Sequence, residues 1–124
     1  MTFFRSRMPD PSEHSLQVQA LQYLMLKRSH PDIFGFAVPN AGRRGFQTAQ
    51  KMKSEGLLPG VADVCIMLPE GRTGWLEMKK HGGRQSDEQM GFAARCARLG
   101  HPYGIAYSLE EAIAFFERIG AVRS

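Results

Sequence analysis

Apolar residues recur along this chain with two spacings, one typical of helices and one typical of strands. Helices are predicted at residues 10–29, 46–55, 86–100 and from 108 onward. Strands are predicted at residues 34–38, 61–68, 75–80 and 103–107. The order α-β-α-β-β-α-β-α indicates an α/β fold, a mixed sheet with helices on both sides. The last strand follows a strand–helix crossover, so it is expected to pair parallel with its neighbour.

The two middle strands combine apolar runs with charge. Residues 61–68 are apolar on both faces except at Asp63, as expected of a central strand. The turn-rich connection of residues 69–74 predicts that the next strand returns antiparallel, as a hairpin. Glu77 and Lys79 are two residues apart on that strand and therefore share a face. Because Asp63 comes early in one strand and the pair late in the other, the hairpin is expected to bring the three groups together.

Two further polar residues stand at predicted helix starts. Asp10 is expected to cap the first helix, with Glu13 at its third position and on the same stripe as Leu16. Gln89 occupies the third position after Ser86 and heads the inward stripe of its own helix, a stripe that includes Phe92, Ala93, Cys96 and Leu99. Either residue could serve only as a cap, and the spacing alone leaves that alternative open.

Composition narrows the class of protein. The chain has 124 residues, which suits one domain, and a net charge of +4, which is compatible with a polyanionic partner. We expect a basic arm at residues 1–11 and a single domain at residues 12–124. Cys65 and Cys96 lie in apolar surroundings and are expected to be reduced, as in the cytoplasm. No zinc-type spacing, secretion signal or membrane-length apolar run is present, so we expect no membrane partner.

The clustered carboxylates indicate a site for a hard divalent cation. Carboxylate oxygens suit Mg²⁺ or Mn²⁺, and such an ion beside a lysine suits hydrolysis of a phosphodiester. The predicted metal ligands are Glu13, Asp63, Glu77 and the carbonyl of Met78. Lys79 is expected to orient or deprotonate the attacking water, and Gln89 to hold Lys79 or the nucleotide. The competing interpretation is a purely structural ion-pair network of Asp63, Glu77 and Lys79.

Basic residues near this hairpin are candidates for phosphate contacts. Most follow the turn at Pro39, and two follow the Glu77 strand. The predicted DNA contacts are Asn40, Arg43, Arg44, Lys51, Lys53, Lys80 and Arg84. An ordinary solvated face is the alternative for these residues.

Asp63 followed by Glu77-Met78-Lys79, within an α-β-β-α-β order, resembles the PD-(D/E)XK nuclease superfamily. The resemblance narrows to the VRR-NUC (virus-type replication–repair nuclease) domain and runs from about residue 12 to 118. It rests on Glu13 with Gln17, Pro39-Asn40, the segment from Gly56 to Asp63, Glu77-Met78-Lys79, and the segment from Ser86 to Gln89. The resemblance implies metal-dependent cleavage of DNA, with Glu13, Asp63, Glu77, Lys79 and Gln89 as the functional residues.

The same resemblance implies a stand-alone phage or bacterial type, similar to homodimeric resolvases that cut Holliday junctions. The enzyme would then act on DNA in the cytoplasm of a bacterium or a phage-infected cell. Phe115 and Phe116 make the last helix apolar on more than one face, which suggests it as the dimer surface. Two other classes compete with a nuclease: a catalytically silent nucleic-acid-binding module of the same fold, and a hydrolase of small phosphoesters.

Overall fold

The computed structural model of the protein describes residues 12–39 and 54–124. These residues form three long helices, which are α1 (Glu13–Lys27), α2 (Asp87–Leu99) and α3 (Leu109–Arg118). They also form four strands, which are β1 (Phe34–Ala37), β2 (Val64–Met67), β3 (Thr73–Met78) and β4 (Tyr103–Ala106). Within the described residues, the observed order of elements agrees with the predicted one. The predicted arm of residues 1–11, and all but the end of the predicted helix of residues 46–55, lie outside the described residues.

The strands form one mixed sheet in the order β1-β2-β3-β4. The first two pairings are antiparallel, with Cys65 opposite Trp75 between β2 and β3. The pairing of β3 with β4 is parallel, with Trp75 beside Tyr103. Both the hairpin and the parallel crossover predicted from the sequence are therefore confirmed.

Strand β2 is shorter than predicted, and the reason lies in Asp63. The ladder between β2 and β3 ends at the pair Val64 and Leu76. One residue earlier, the Asp63 carboxylate oxygen Oδ2 accepts the Met78 backbone N–H at 2.7 Å. The side chain thus takes a donor that the ladder would otherwise use, so Asp63 lies before the strand.

Helices α1 and α3 pack together on one face of the sheet and enclose the hydrophobic core. The largest fully buried side chains there include Phe116, Leu16, Leu24 and Leu76. Close packing depends on Gly104 of β4, because a Cβ at this position would lie 2.5 Å from Cδ1 of Phe115. Helix α2 lies on the opposite face, where Phe92 makes an edge-on contact with Trp75 at 5.2 Å between ring centroids.

Three local predictions need correction. Helix α1 is capped by Ser12, whose hydroxyl accepts the Ser15 N–H at 3.0 Å, so Glu13 is its first residue and Asp10 is not its cap. The same helix ends at Lys27, before Ser29, because Arg28 forms a β-bridge with Val122. Leu99 does not face inward: it is 67% exposed, although Cys96 in the same last turn of α2 is buried.

The argument for the last helix as a dimer surface is also wrong. Phe115 and Phe116 are both buried within this one chain, at 5% and 0% exposure. Phe115 packs against Gly104, and the Arg118 guanidinium lies 5.0 Å from its ring centroid. Neither aromatic ring is left for a partner. The two cysteines, by contrast, are free and buried as predicted.

Candidate active site

Three charged side chains meet where the β2–β3 hairpin reaches the end of the sheet. Asp63 precedes β2, Glu77 is the second-last residue of β3, and Lys79 follows that strand. The Lys79 ammonium Nζ lies 3.8 Å from Oε2 of Glu77. Glu77 is only 1% exposed, and Lys79 is 9% exposed. The structure therefore brings together the groups that the hairpin was predicted to join.

Gln89 serves two purposes at once. Its Oε1 accepts the Ser86 N–H at 2.9 Å, while the Ser86 hydroxyl accepts the Gln89 N–H at 3.2 Å, which completes a capping box. Because Oε1 is held by the cap, Nε2 is the group that faces the sheet, and it donates to Oε2 of Glu77. The partner of Gln89 is thus Glu77, whereas the sequence pointed to Lys79 or a nucleotide.

Helix α1 supplies the remaining wall of the site. A pocket of about 300 Å³ opens between this helix and the hairpin. Its lining residues are Glu13, His14, Gln17, Val38, Asp63, Glu77 and Gln89. Oε2 of Glu13 accepts the Lys80 backbone N–H at 3.4 Å, which joins the helix start to the end of the hairpin. Glu13 therefore borders the site, as predicted.

Two lining residues, His14 and Val38, were missed from the sequence. His14 is one residue from Glu13 and lies off the inward stripe by helical spacing, so periodicity assigned it to solvent. Val38 follows β1, and its N–H donates to the Asp63 carbonyl at 2.8 Å, which extends the pairing of β1 with β2. Only the tertiary pairing places it beside the acids.

Burial and mutual repulsion make these carboxyl groups hard to ionise. The pKa of Glu77 is raised from 4.5 to about 8, chiefly by desolvation and then by the neighbouring Asp63 charge, against the opposing effect of Lys79. The pKa of Asp63 is also raised, chiefly by desolvation; the Met78 N–H opposes this shift and Glu13 adds to it. The negative charges of the site thus exceed what Lys79 alone can balance.

The site has features that suit a bound cation. Among the described residues, Oε1 of Glu77 is the buried side-chain oxygen or nitrogen that lacks a hydrogen-bond partner. An orphaned buried oxygen is costly unless something binds it, and a cation beside Asp63 would also relieve the repulsion. No three acidic, histidine or cysteine side chains in residues 12–39 and 54–124 form a ready-made metal cluster. Asp63 and Glu77 are therefore the core of the candidate metal site, and the wider set with Glu13 and Met78 stays a prediction.

Gly60 explains why a Pro-Gly pair precedes Asp63. Its φ of +85° favours glycine, and a Cβ there would overlap the backbone carbonyl group of Glu88. The loop before β2 therefore packs directly against the first turn of α2. This contact sets the segment carrying Asp63 against the helix start carrying Gln89, a role the sequence did not reveal.

The structure describes only two of the seven residues that were predicted to contact DNA. Lys80 and Arg84 are exposed on the loop between β3 and α2, where the Tyr107 hydroxyl donates to the Gly83 carbonyl at 3.2 Å. The other five, Asn40, Arg43, Arg44, Lys51 and Lys53, lie outside the described residues. No described helix is long and apolar enough to cross a membrane.

Solved structures share this fold. One described as "VRR_NUC domain protein" matches with a TM-score of 0.73 at 17% identity, over 90% of this chain and 89% of that one. A second, described as "VRR_NUC domain", matches with a TM-score of 0.60 at 16% identity, over 85% of this chain and 94% of that one. A scan against protein-family models and a sequence search of curated proteins find no match. The chain thus has the fold of these VRR-NUC domain structures, as the sequence resemblance implied.

Proposed function

We propose that this protein is a metal-dependent endonuclease that hydrolyses phosphodiester bonds in DNA. The observation that carries the proposal is that Asp63 and Glu77 share one pocket of a VRR-NUC-like fold, with the Lys79 ammonium 3.8 Å from Glu77. A structural ion-pair network would satisfy all of its buried atoms, yet Oε1 of Glu77 has no partner among the described residues. An acidic pocket would also repel a phosphate unless a cation were bound between them.

Mg²⁺ or Mn²⁺ held by Asp63 and Glu77 would polarise the scissile phosphate and lower the pKa of a bound water. The protein's own groups would do the rest. Asp63 is fixed by the Met78 N–H, and Glu77 by the Gln89 amide, so both carboxylates are preorganised. Lys79 would position the attacking water and balance the negative charge that builds on the phosphate oxygens. The water oxygen would bond to phosphorus as the bond to the leaving oxygen breaks, while the attacking water releases a proton to solvent and the leaving oxygen takes one up from solvent.

The finer parts of the proposal rest on the sequence resemblance. They are a preference for branched DNA such as Holliday junctions, a homodimer whose two sites cut symmetrically, and action in the cytoplasm. Lys80, whose backbone N–H binds Glu13 of the pocket, and Arg84, on the same loop, are both exposed and suit phosphate contacts. A two-fold dimer would suit a symmetric junction. Phe115 and Phe116 are buried within one chain, so the proposed dimer surface does not include those two rings.

Cleavage assays with a matched pair of lysine variants test the proposal. Wild type, Lys79→Ala and Lys27→Ala are incubated with four-way junctions, flaps and linear duplexes, in Mg²⁺, Mn²⁺ or EDTA. Lys27 is an exposed lysine at the far end of α1, so its variant controls for the loss of one positive charge. We expect cleavage by wild type and Lys27→Ala with either metal, none in EDTA, and at least a hundred-fold (~10²) loss in Lys79→Ala.

Two results would contradict the proposal: no cleavage by wild type in either metal, or equal cleavage by Lys79→Ala and wild type. DNA binding without cleavage would support the silent binding module. A preference for linear duplex or flap over the junction would overturn the resolvase part while leaving the nuclease intact. Equilibrium sedimentation of the wild type tests the homodimer separately.

A further inference from the structure

A second groove lies along α2, and none of its lining residues belongs to the pocket of the candidate site. It has a volume of about 410 Å³, which is in the range of nucleotide-sized ligand sites. Its apolar lining includes Leu58, Pro59 and Phe92, and its basic lining residues are Arg95 and Arg98. The loop that forms one wall ends in Gly60, whose close contact with α2 holds the wall in place. The groove is therefore a built feature and adjoins the first turn of α2, where Gln89 points into the site.

The two arginines of this groove are available to a ligand. Arg95 and Arg98 are exposed, and neither makes a hydrogen bond or ion pair with any residue in the described ranges. Two other arginines in these ranges differ in this respect, because Arg28 donates to the Ile33 carbonyl and Arg118 donates to the Tyr103 carbonyl. Two uncommitted guanidinium groups three residues apart on one helix face are well placed to bind phosphate oxygens.

The spacing of these groups matches a nucleic-acid strand that leaves the candidate site. Arg95 and Arg98 lie six and nine residues after Gln89, or about 9 and 14 Å along the helix axis at 1.5 Å per residue. A DNA strand carries one phosphate per about 3.4 Å of duplex axis, so this distance spans about four phosphates. The small residue Gly91 leaves open space along the path, because a Cβ there would meet no atom within 4 Å.

One acidic residue opposes such binding. Glu88 also lines the groove, at the end nearest the candidate site. Its charge would repel a phosphate there, so contacts are expected at the arginine end. The apolar lining residues suit contact with the less polar parts of a strand whose phosphates meet the two arginines.

We propose that the groove between α2 and residues 57–60 binds the sugar-phosphate backbone of DNA beyond the scissile position, through Arg95 and Arg98. The inference rests on the proposed nuclease function and extends it by a second contact surface. It assigns these two residues to substrate binding, outside the set predicted from the sequence.

A double variant and a charge-matched control test this surface. Arg95→Ala/Arg98→Ala is compared with Lys27→Ala/Arg123→Ala, which removes two exposed basic residues near the far end of α1. Binding of a labelled linear duplex is followed by fluorescence anisotropy with Ca²⁺ in place of Mg²⁺, across a salt titration. Because the arginines have no described partners, circular dichroism should show both variants with the melting temperature of wild type.

We expect the arginine variant to bind about ten-fold more weakly than the control at low salt, and its log–log salt slope to be smaller by about 1.8, the value for two phosphate contacts. Equal affinity and slope in the two variants would overturn the groove proposal. Cleavage of the same duplex in Mg²⁺ separates the two ideas. If wild type cuts and the variants bind alike, the groove alone fails. If wild type neither binds nor cuts, the nuclease proposal fails and the groove proposal with it.

Discussion

The two faces of the sheet are built for different purposes. The face under α1 and α3 is covered by packed apolar side chains, including Leu76 and Met78 of β3. The face under α2 carries Trp75 and Glu77 of the same strand, and at its β1 side Phe34 and Met67 remain half exposed. Alternation along one strand thus sends apolar residues to a closed core and a buried acid to an open pocket. The face under α1 and α3 therefore stabilises the fold, whereas the face under α2 carries a destabilising buried acid that forms the candidate site.

Replacing the buried acid should have the largest effect. Glu77→Gln should lower cleavage at least about a thousand-fold, or about 4 kcal/mol in the barrier, because a candidate metal ligand is lost. The same variant should be more stable than wild type in EDTA at high pH. Since the folded pKa of Glu77 is raised to about 8, the folded protein holds a proton that the unfolded chain releases above about 4.5. Wild type therefore loses stability as pH rises between these values.

Urea denaturation in EDTA at several pH values measures that difference. We expect the gap between Glu77→Gln and wild type to be near zero around pH 4 and to reach about 2–4 kcal/mol above pH 8. Added Mg²⁺ should stabilise wild type more at high pH than at low pH, because the ion competes with the proton. A gap that stays constant with pH would contradict the raised pKa of Glu77.

A change on the opposite face should show the reverse pattern. Phe116→Ala removes a fully buried ring from the core and should destabilise the protein by about 3–5 kcal/mol. Cleavage per folded molecule, measured at low temperature, should change little, since the ring lies across the sheet from Glu77. A stable variant with lost activity would show that the two faces are not separable.

The next largest effect is expected at Gly60, which packs the loop before β2 against α2. Gly60→Ala places a side chain against the Glu88 backbone at a left-handed φ, which should cost about 2–4 kcal/mol. Gly56→Ala is the matched control, because Gly56 has a φ of +98° and no atom within 4 Å of its Cβ position. If both variants lose the same stability, the cost comes from the backbone alone and not from contact with α2.

The smallest effect is expected at the capping residue of the site. Gln89→Glu keeps an oxygen for the Ser86 N–H but replaces the donor to Glu77 with a second carboxylate, which repels Glu77 once Glu77 is ionised. We expect a loss of about 1–2 kcal/mol in stability above about pH 8, where Glu77 ionises, and a shift of the activity profile to higher pH. Gln89→Ala loses the cap as well. If Gln89→Glu retained the wild-type pH profile, Gln89 would be only a cap.

Much of the fold followed from local patterns. Period-two runs located the four strands, and Gly or Pro at their ends limited the possible lengths. The short turn after Met67 required an antiparallel return, and the helix before Tyr103 required a parallel one. The same antiparallel hairpin was enough to predict that Asp63 lies close to Glu77 and Lys79. Periodicity failed at Leu99 and at Phe115, because it reports which residues share a face and not what covers that face.

What the sequence by itself determined is the order of elements and the residues of the acid pair, since both depend on spacing along one or two neighbouring segments. Tertiary structure alone decided which atoms meet across the site. It set the hydrogen bond from Gln89 to Glu77, placed His14 and Val38 in the lining of the pocket, and packed Gly60 against α2. These contacts join segments distant in sequence, so their geometry depends on how the layers pack and no local pattern records it.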